Sequence, residues 1–169
     1  MLSRLREKRG QSLVETAMVL PVLVLLMLGM VDYGRAYYFQ VAVTNAAREG
    51  TRTGIVNIYL GPHVPNCTSP YTYCPVQTDA TIRQAVHNEL AGTGIVVADP
   101  NIVICPPYSI ADPSCPTTET RVGDYAANVT NYDLSVKVSY PFSLYTPMFQ
   151  SLLGNPLWVR PDVSMRTDY

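Results

Sequence analysis

Few residue types in this chain are spaced for chemistry, and the first of them stand at its start. Gly10 closes a basic head, and Gln11-Ser12-Leu13-Val14 lead to Glu15, the only charged residue between Arg9 and Asp32. From Ala17 to Val31 there is no ionisable side chain. Counted from Leu13, the apolar run is about 19 residues, or roughly 28 Å of helix, close to the thickness of a bilayer core. A carboxylate at the start of such a run is costly in lipid, so it marks a function and calls for a partner. A cut between Gly10 and Gln11, on the cytoplasmic side, would make Glu15 the fifth residue of the mature chain and create an amine at Gln11. Three plainer readings compete. A secretory signal peptide has a shorter apolar region and a small-residue cleavage site after it, whereas here Asp32-Tyr33-Gly34-Arg35 follow. A permanent single-pass anchor accounts for the length but not for Glu15. A buried core helix is rarely this long and this apolar.

The other reactive residues are Cys67, Cys74, Cys105 and Cys115, all beyond the apolar run. An even number of cysteines in an exported domain suggests disulfides, and four allow three pairings. Cys67–Cys74 and Cys105–Cys115 are favoured, because each pair flanks a short Pro-rich loop. Zinc is the alternative, but the sequence has no Cys-x-x-Cys pair, and His63 and His87 lie far apart. No metal or cofactor is expected. No phosphate loop, Gly-x-Ser-x-Gly elbow or metal-binding helix motif is present, so an enzyme is the least favoured class.

Charge and length narrow the classes further. The 169 residues carry 12 basic and 13 acidic side chains, a net charge of −1. Removing residues 1–10 takes away Arg4, Arg6, Lys8, Arg9 and Glu7. That leaves 8 basic against 12 acidic residues, a net of −4. Nucleic acid is excluded as a partner, since it needs a basic footprint. The basic head fits the positive-inside rule, which keeps the N-terminus in the cytoplasm and the remainder outside. The length suits one anchored helix and one modest domain.

The N-terminal residues also carry a family resemblance. Gly10-Gln11-Ser12-Leu13-Val14-Glu15 resembles the recognition site of type IV prepilin peptidases, although common type IV pilins have Phe or Met where Gln11 stands. From Gly10 to Gly54 the chain resembles the TadE-like family of tight-adherence pilus proteins. The matching residues are Val14-Glu15-Thr16-Ala17, Val19-Leu20-Pro21, Gly29, Asp32-Tyr33-Gly34-Arg35-Ala36, Asn45-Ala46-Ala47-Arg48-Glu49-Gly50 and Arg52. The resemblance implies a minor pilin or pseudopilin. Its partners would be a prepilin peptidase, other pilin or TadE-like subunits, inner-platform proteins of the pilus machine, and the lipid bilayer.

The elements that must position these groups follow from periodicity. Residues 1–10 read as a basic leader and 11–55 as one long helix, transmembrane over about 13–31. Residues 56–169 read as an extracytoplasmic α+β domain with disulfide-stapled loops. Ala36, Val43, Ala47, Gly50 and Gly54 form a face of small groups on the helix, suited to close packing. Asp32 and Arg35 fall at headgroup level, followed by Tyr33, Tyr37, Tyr38 and Phe39 as an interfacial belt or as core packing. Pro21 is either a tolerated kink or a weak point used when the helix repacks during assembly. Residues 56–77 read as a loop, and 78–91 as a helix capped by Thr78 or Asp79, with Ile82, Ala85, Val86 and Leu90 on one face. Within that helix His87 reads as a half-exposed surface residue. Ile95–Val97 and Ile102–Ile104 read as short strands, 105–123 as a second loop, and Leu134–Tyr140 as the clearest strand, ended by Pro141. A short helix within 144–153 and a last strand over 158–167 complete the chain. Asn66-Cys67-Thr68 and Asn128-Val129-Thr130 match glycosylation acceptors.

Two functions are consistent with this pattern. The first is a pilin-like subunit, cut after Gly10, in which Glu15 pairs with the amine at Gln11 of a neighbour. The second is a permanently anchored binding module whose loops at 59–75 and 105–118, with Tyr59, Tyr71, Tyr73 and Tyr108, hold a ligand. The expected fold is α+β: a long N-terminal transmembrane helix continuing into a small pilin-like domain with a helix packed on an antiparallel sheet.

Overall fold

The computed structural model describes residues 3–55, 77–121 and 132–167, with side chains of the first helix from Gly10 onward. The fold is α+β: a long apolar N-terminal helix, then a small domain of helix and antiparallel sheet. Helix α1 is Ser3–Ile55 and α2 is Asp79–Leu90. Strands β1 (Ile102–Cys105), β2 (Asp133–Val138) and β3 (Tyr140–Phe142) come next, then helix α3 (Pro147–Leu153) and strands β4 (Leu157–Val159) and β5 (Asp162–Arg166). The chain divides into two compact units, Met1–Tyr38 with Ser143–Leu157, and Phe39–Phe142 with Trp158–Tyr169.

The second unit carries a three-stranded sheet in the order β1-β2-β5, antiparallel throughout. In β2, Leu134, Val136 and Val138 are buried, so one face of the pleat lies in the core. Register places Ile104 beside Val136 on one side and Val163 beside Val136 on the other. Onto this core pack Ile82, Val86 and Leu90 of α2 and Val43, Ala46 and Ala47 of α1. Thr78 caps α2, its hydroxyl accepting from the Thr81 N–H at 3.2 Å. That satisfies one of the helix's orphan donors.

The face of small residues on α1 is where close packing is tightest. A Cβ on Gly50 would stand 2.6 Å from Val86 Cγ2, and one on Gly54 would stand 2.8 Å from Ile82 Cδ1 and closer still to Leu134. Glycine costs about 1 kcal/mol in a helix interior, and here that cost is offset by contacts no larger residue permits. Val86 is β-branched and buried, so it cannot turn away. Gly50→Leu is expected to lower stability by about 1–3 kcal/mol, the usual cost of overpacking. A thermal melt of the purified chain checks this, and an unchanged midpoint would refute it.

Several boundaries differ from expectation. Helix α1 begins at Ser3, so the leader backbone is helical and runs without a break into the apolar segment. Ile95–Val97 is not a strand: Ile95 and Val97 are buried and Val96 is exposed, but among the described residues no strand pairs with them. Pro141 does not end the long strand. The break comes at Ser139, whose N–H donates to Asn101 O at 2.8 Å, and Pro141 lies inside β3. The closing strand is divided into β4 and β5 around Arg160-Pro161, where the Pro161 carbonyl accepts from Val138 N. Among the described residues strand β3 pairs with β4 alone, a two-stranded arrangement in which a proline is tolerated.

Candidate functional site

Helix α1 carries Gly10, Gln11 and Glu15 on one unbroken backbone, all three exposed. A Cβ built on Gly10 meets nothing within 4 Å, so no packing requires glycine there. Thr16 Oγ1 returns a hydrogen bond to Ser12 O at 2.9 Å, one turn back. Pro21 lies inside the helix. Lacking an N–H, it leaves the Ala17 carbonyl without its usual partner.

Between Leu13 and Val31, thirteen large apolar side chains are exposed, among them Leu13 at 72 %, Met18 at 76 % and Met30 at 74 %. The helix Gly10–Ile55 is long and apolar enough to cross a membrane. A core helix in water would bury these groups, at about 1.5–3 kcal/mol each.

Sequence reasoning missed the most highly constrained group in the first unit. Asp32, read from the sequence as a headgroup-level partner of Arg35, is 3 % exposed and held by a distant segment. Its Oδ1 accepts from the Tyr145 N–H at 3.1 Å and its Oδ2 from the Thr146 N–H at 3.0 Å. Arg35 Nη1 stands 3.7 Å from Oδ1, and the Arg35 guanidinium lies 3.6 Å from the centre of the Tyr145 ring. A buried carboxylate with two charged hydrogen bonds and a cation beside it is a satisfied one. These two donors lie just ahead of α3, whose capping residue Thr146 makes no side-chain capping bond of its own. One turn earlier on the same stripe, a Cβ on Gly29 would stand 3.2 Å from the Phe149 ring. The signal was present: extending the small-residue face back from Ala36 by four and then three residues gives Asp32 and Gly29.

The decisive comparison is with family models. Residues 10–52 match the TadE-like protein family. The TadE-like match covers about a quarter of the chain and contains Gly10, Glu15, Pro21 and Asp32. That family is pilus-related, and its members are pseudopilin-like. No curated protein and no solved structure matches.

Beyond the TadE-like stretch lie the cysteines, the histidines and the tyrosine-bearing loops. Cys105 and Cys115 are joined by a disulfide, with Cα atoms 5.5 Å apart. Closing so short a loop stabilises by about 2–3 kcal/mol in the chain-entropy account. The Cys67–Cys74 pairing, His63, Tyr59, Tyr71, Tyr73 and both glycosylation patterns fall outside the described residues. The Tyr108 N–H donates to Asp79 Oδ2 at 3.1 Å, tying the second loop to the start of α2. Asp79 also pairs with Arg121, which is wholly buried and donates to Gln77 O at 3.2 Å. His87 Nε2 stands 2.7 Å from Asp99 Oδ1, so its neighbour is a carboxylate on the turn after α2. Among the described residues no three His, Cys, Asp or Glu side chains gather as metal ligands would.

The aromatic residues after Asp32 divide by role. Phe39 packs in the second unit, its ring 5.3 Å from those of Tyr140 and Phe142. Tyr33 and Tyr37 are exposed, as interfacial residues would be. Glu49 and Arg52 form a bidentate pair at 2.9 Å. That hydrogen bond holds the Glu49 carboxyl below its ordinary range despite the opposing effect of burial.

Proposed function

We propose that this chain is a pilin-like or pseudopilin subunit of a tight-adherence pilus. It is held in the cytoplasmic membrane by the apolar part of α1, with the N-terminus inside and the domain outside, and is cut after Gly10 by a prepilin peptidase. The observation that carries the reading is the solvent-facing apolar run from Leu13 to Val31, set within the stretch that matches the TadE-like family. Such a surface demands a second environment, and two are available in succession. Lipid covers it first; the helices of sister subunits, and with them the inner-platform proteins, cover it in the pilus.

Glu15 gives that exchange its register. At the cytoplasmic interface its charge is hydrated and cheap to hold. Among packed helices it pairs with the new amine at Gln11 of a neighbour, and losing one partner of such a buried pair costs about 3–5 kcal/mol. Glu15→Ala is expected to leave cutting intact and to lower incorporation into pili by a factor of ~100 or more, the fold-change that corresponds to that cost. Immunoblots of sheared pili against membranes measure it, and wild-type incorporation would remove Glu15 from assembly.

The test of the whole reading is the mass of the native chain extracted from its membrane without reduction. A chain beginning at Gln11 supports it. A chain that keeps residues 1–10 overturns the cut and leaves a permanent anchor.

A further inference from the structure

The segment that Asp32 holds has an unusual composition. From Val138 to Val159 there is no Asp, Glu, Lys, Arg or His. At the chain's 15 % charged residues, those 22 positions would carry about three charges, 0.15 times 22. Within it, α3 leaves Met148 at 55 %, Leu152 at 75 % and Leu153 at 56 % exposed, and Tyr145 at 70 %. Four large apolar or aromatic groups on so short a stretch are not a satisfied surface in water.

Their height along α1 is fixed. Phe149 meets Gly29, inside the run that has no ionisable residue, while Tyr145 and Thr146 are held at Asp32. Gly29 lies three residues below Asp32, or about 4.5 Å along the helix toward the bilayer. Interfacial helices bury their apolar faces by about 5–10 Å at the headgroup–acyl boundary. The depth imposed by these contacts therefore matches that of an interfacial element. The neighbouring apolar run supplies the continuity, since the same lipid that covers Leu26, Met27 and Met30 reaches the level of α3.

We propose that α3 is a second membrane contact, seating Met148, Leu152 and Leu153 in the outer leaflet at the headgroup–acyl boundary. The inference rests on the membrane reading of α1. The anchor is then a helix with a docked interfacial turn, and Asp32 is the positioning residue that sets its depth. Its carboxylate is spent on the main chain of 145–146, so the turn carries no charge of its own into lipid.

The chain has one tryptophan, Trp158, which makes a depth measurement direct. With Trp158→Phe as background, single tryptophans are placed at Leu152, at Met148 and, separately, at Leu23 within the apolar run. All three sites are exposed, so the fold tolerates the ring. The full chains are reconstituted in phosphatidylcholine vesicles at low protein density, with bromines either near the headgroup end or near the methyl end of the acyl chains. Leu152→Trp and Met148→Trp are expected to lose emission about two-fold with the shallow bromines and less with the deep ones, as for groups ~5–10 Å inside. Leu23→Trp is expected to respond to the deep bromines.

Quenching of Leu23→Trp by lipid, with Leu152→Trp and Met148→Trp quenched only by aqueous acrylamide, overturns this inference and leaves the membrane reading standing. Protection of the α3 positions from both lipid and acrylamide means that a second protein surface covers them, which also overturns it. Loss of lipid quenching at all three positions defeats the membrane reading itself and this inference with it.

Discussion

A Gly10→Ala chain is expected to accumulate with its basic head still attached. The backbone is helical on both sides of residue 10, and a bond inside a helix must be opened before it can enter a cleft. Glycine lowers the cost of that opening by about 0.5–1 kcal/mol relative to alanine. Alanine is therefore expected to slow the cut roughly two- to five-fold through helix propensity alone, since 1.36 kcal/mol is a factor of ten. A cleft that takes the backbone closely would also be obstructed by a Cβ, and Gly10→Val is expected to stop cutting. Folding is not the cause, because a Cβ at this position touches nothing. Intact-mass measurement of the membrane-extracted variants reads the outcome, and a fully trimmed Gly10→Val chain would sink the claim that the cut is made there.

The second large effect belongs to Asp32. Its replacement by alanine removes the acceptor for two main-chain N–H groups and leaves Arg35 without its carboxylate neighbour. A hydrogen bond to a charged group contributes about 1.5–3 kcal/mol, so the loss is about 3 kcal/mol or more. That corresponds to roughly a hundred-fold faster exchange of the Tyr145 and Thr146 amides through local opening. Asp32→Asn keeps an acceptor but not the charge, and is expected to fall between the two. The strand amides of β2 serve as the internal control: equal acceleration there would mean general unfolding. Unchanged exchange at 145–146 would show that Asp32 does not hold the segment.

Most of the fold was legible because the signals were local. Leu134, Val136 and Val138 alternate with Ser135 and Lys137, and their burial in β2 follows that period. Thr78 precedes an apolar helical face and caps it. Gly50 and Gly54 lie seven and eleven residues from Val43, one face of a helix that must be approached closely. What was not legible depends on partners distant in sequence. Asp32 and Thr146 are 114 residues apart, and no spacing rule links them. The level of Asp32 along the helix could be read from the sequence, but its burial and its two main-chain donors could not. Ile95–Val97 has the residues of a strand, yet a strand exists only where another backbone lies beside it. The candidate site was read from Gly10 and Glu15 because their spacing is short and fixed. The Cys105–Cys115 disulfide was favoured among three possible pairings because its cysteines flank a short Pro-rich loop, and the structure joins them.

The bond between Asp32 and residues 145–146 also imposes an order of events on biosynthesis. A chain made from its N-terminus at about 5–20 residues per second completes its first helix, which ends at Ile55, some 5–18 s before Tyr145 leaves the ribosome. Throughout that interval the acid at position 32 lacks both of its main-chain donors and has Arg35, one turn away, as its neighbour. The clasp closes last. A nascent chain that stalls before that point is unlatched, with an open carboxylate that distinguishes it from the finished chain.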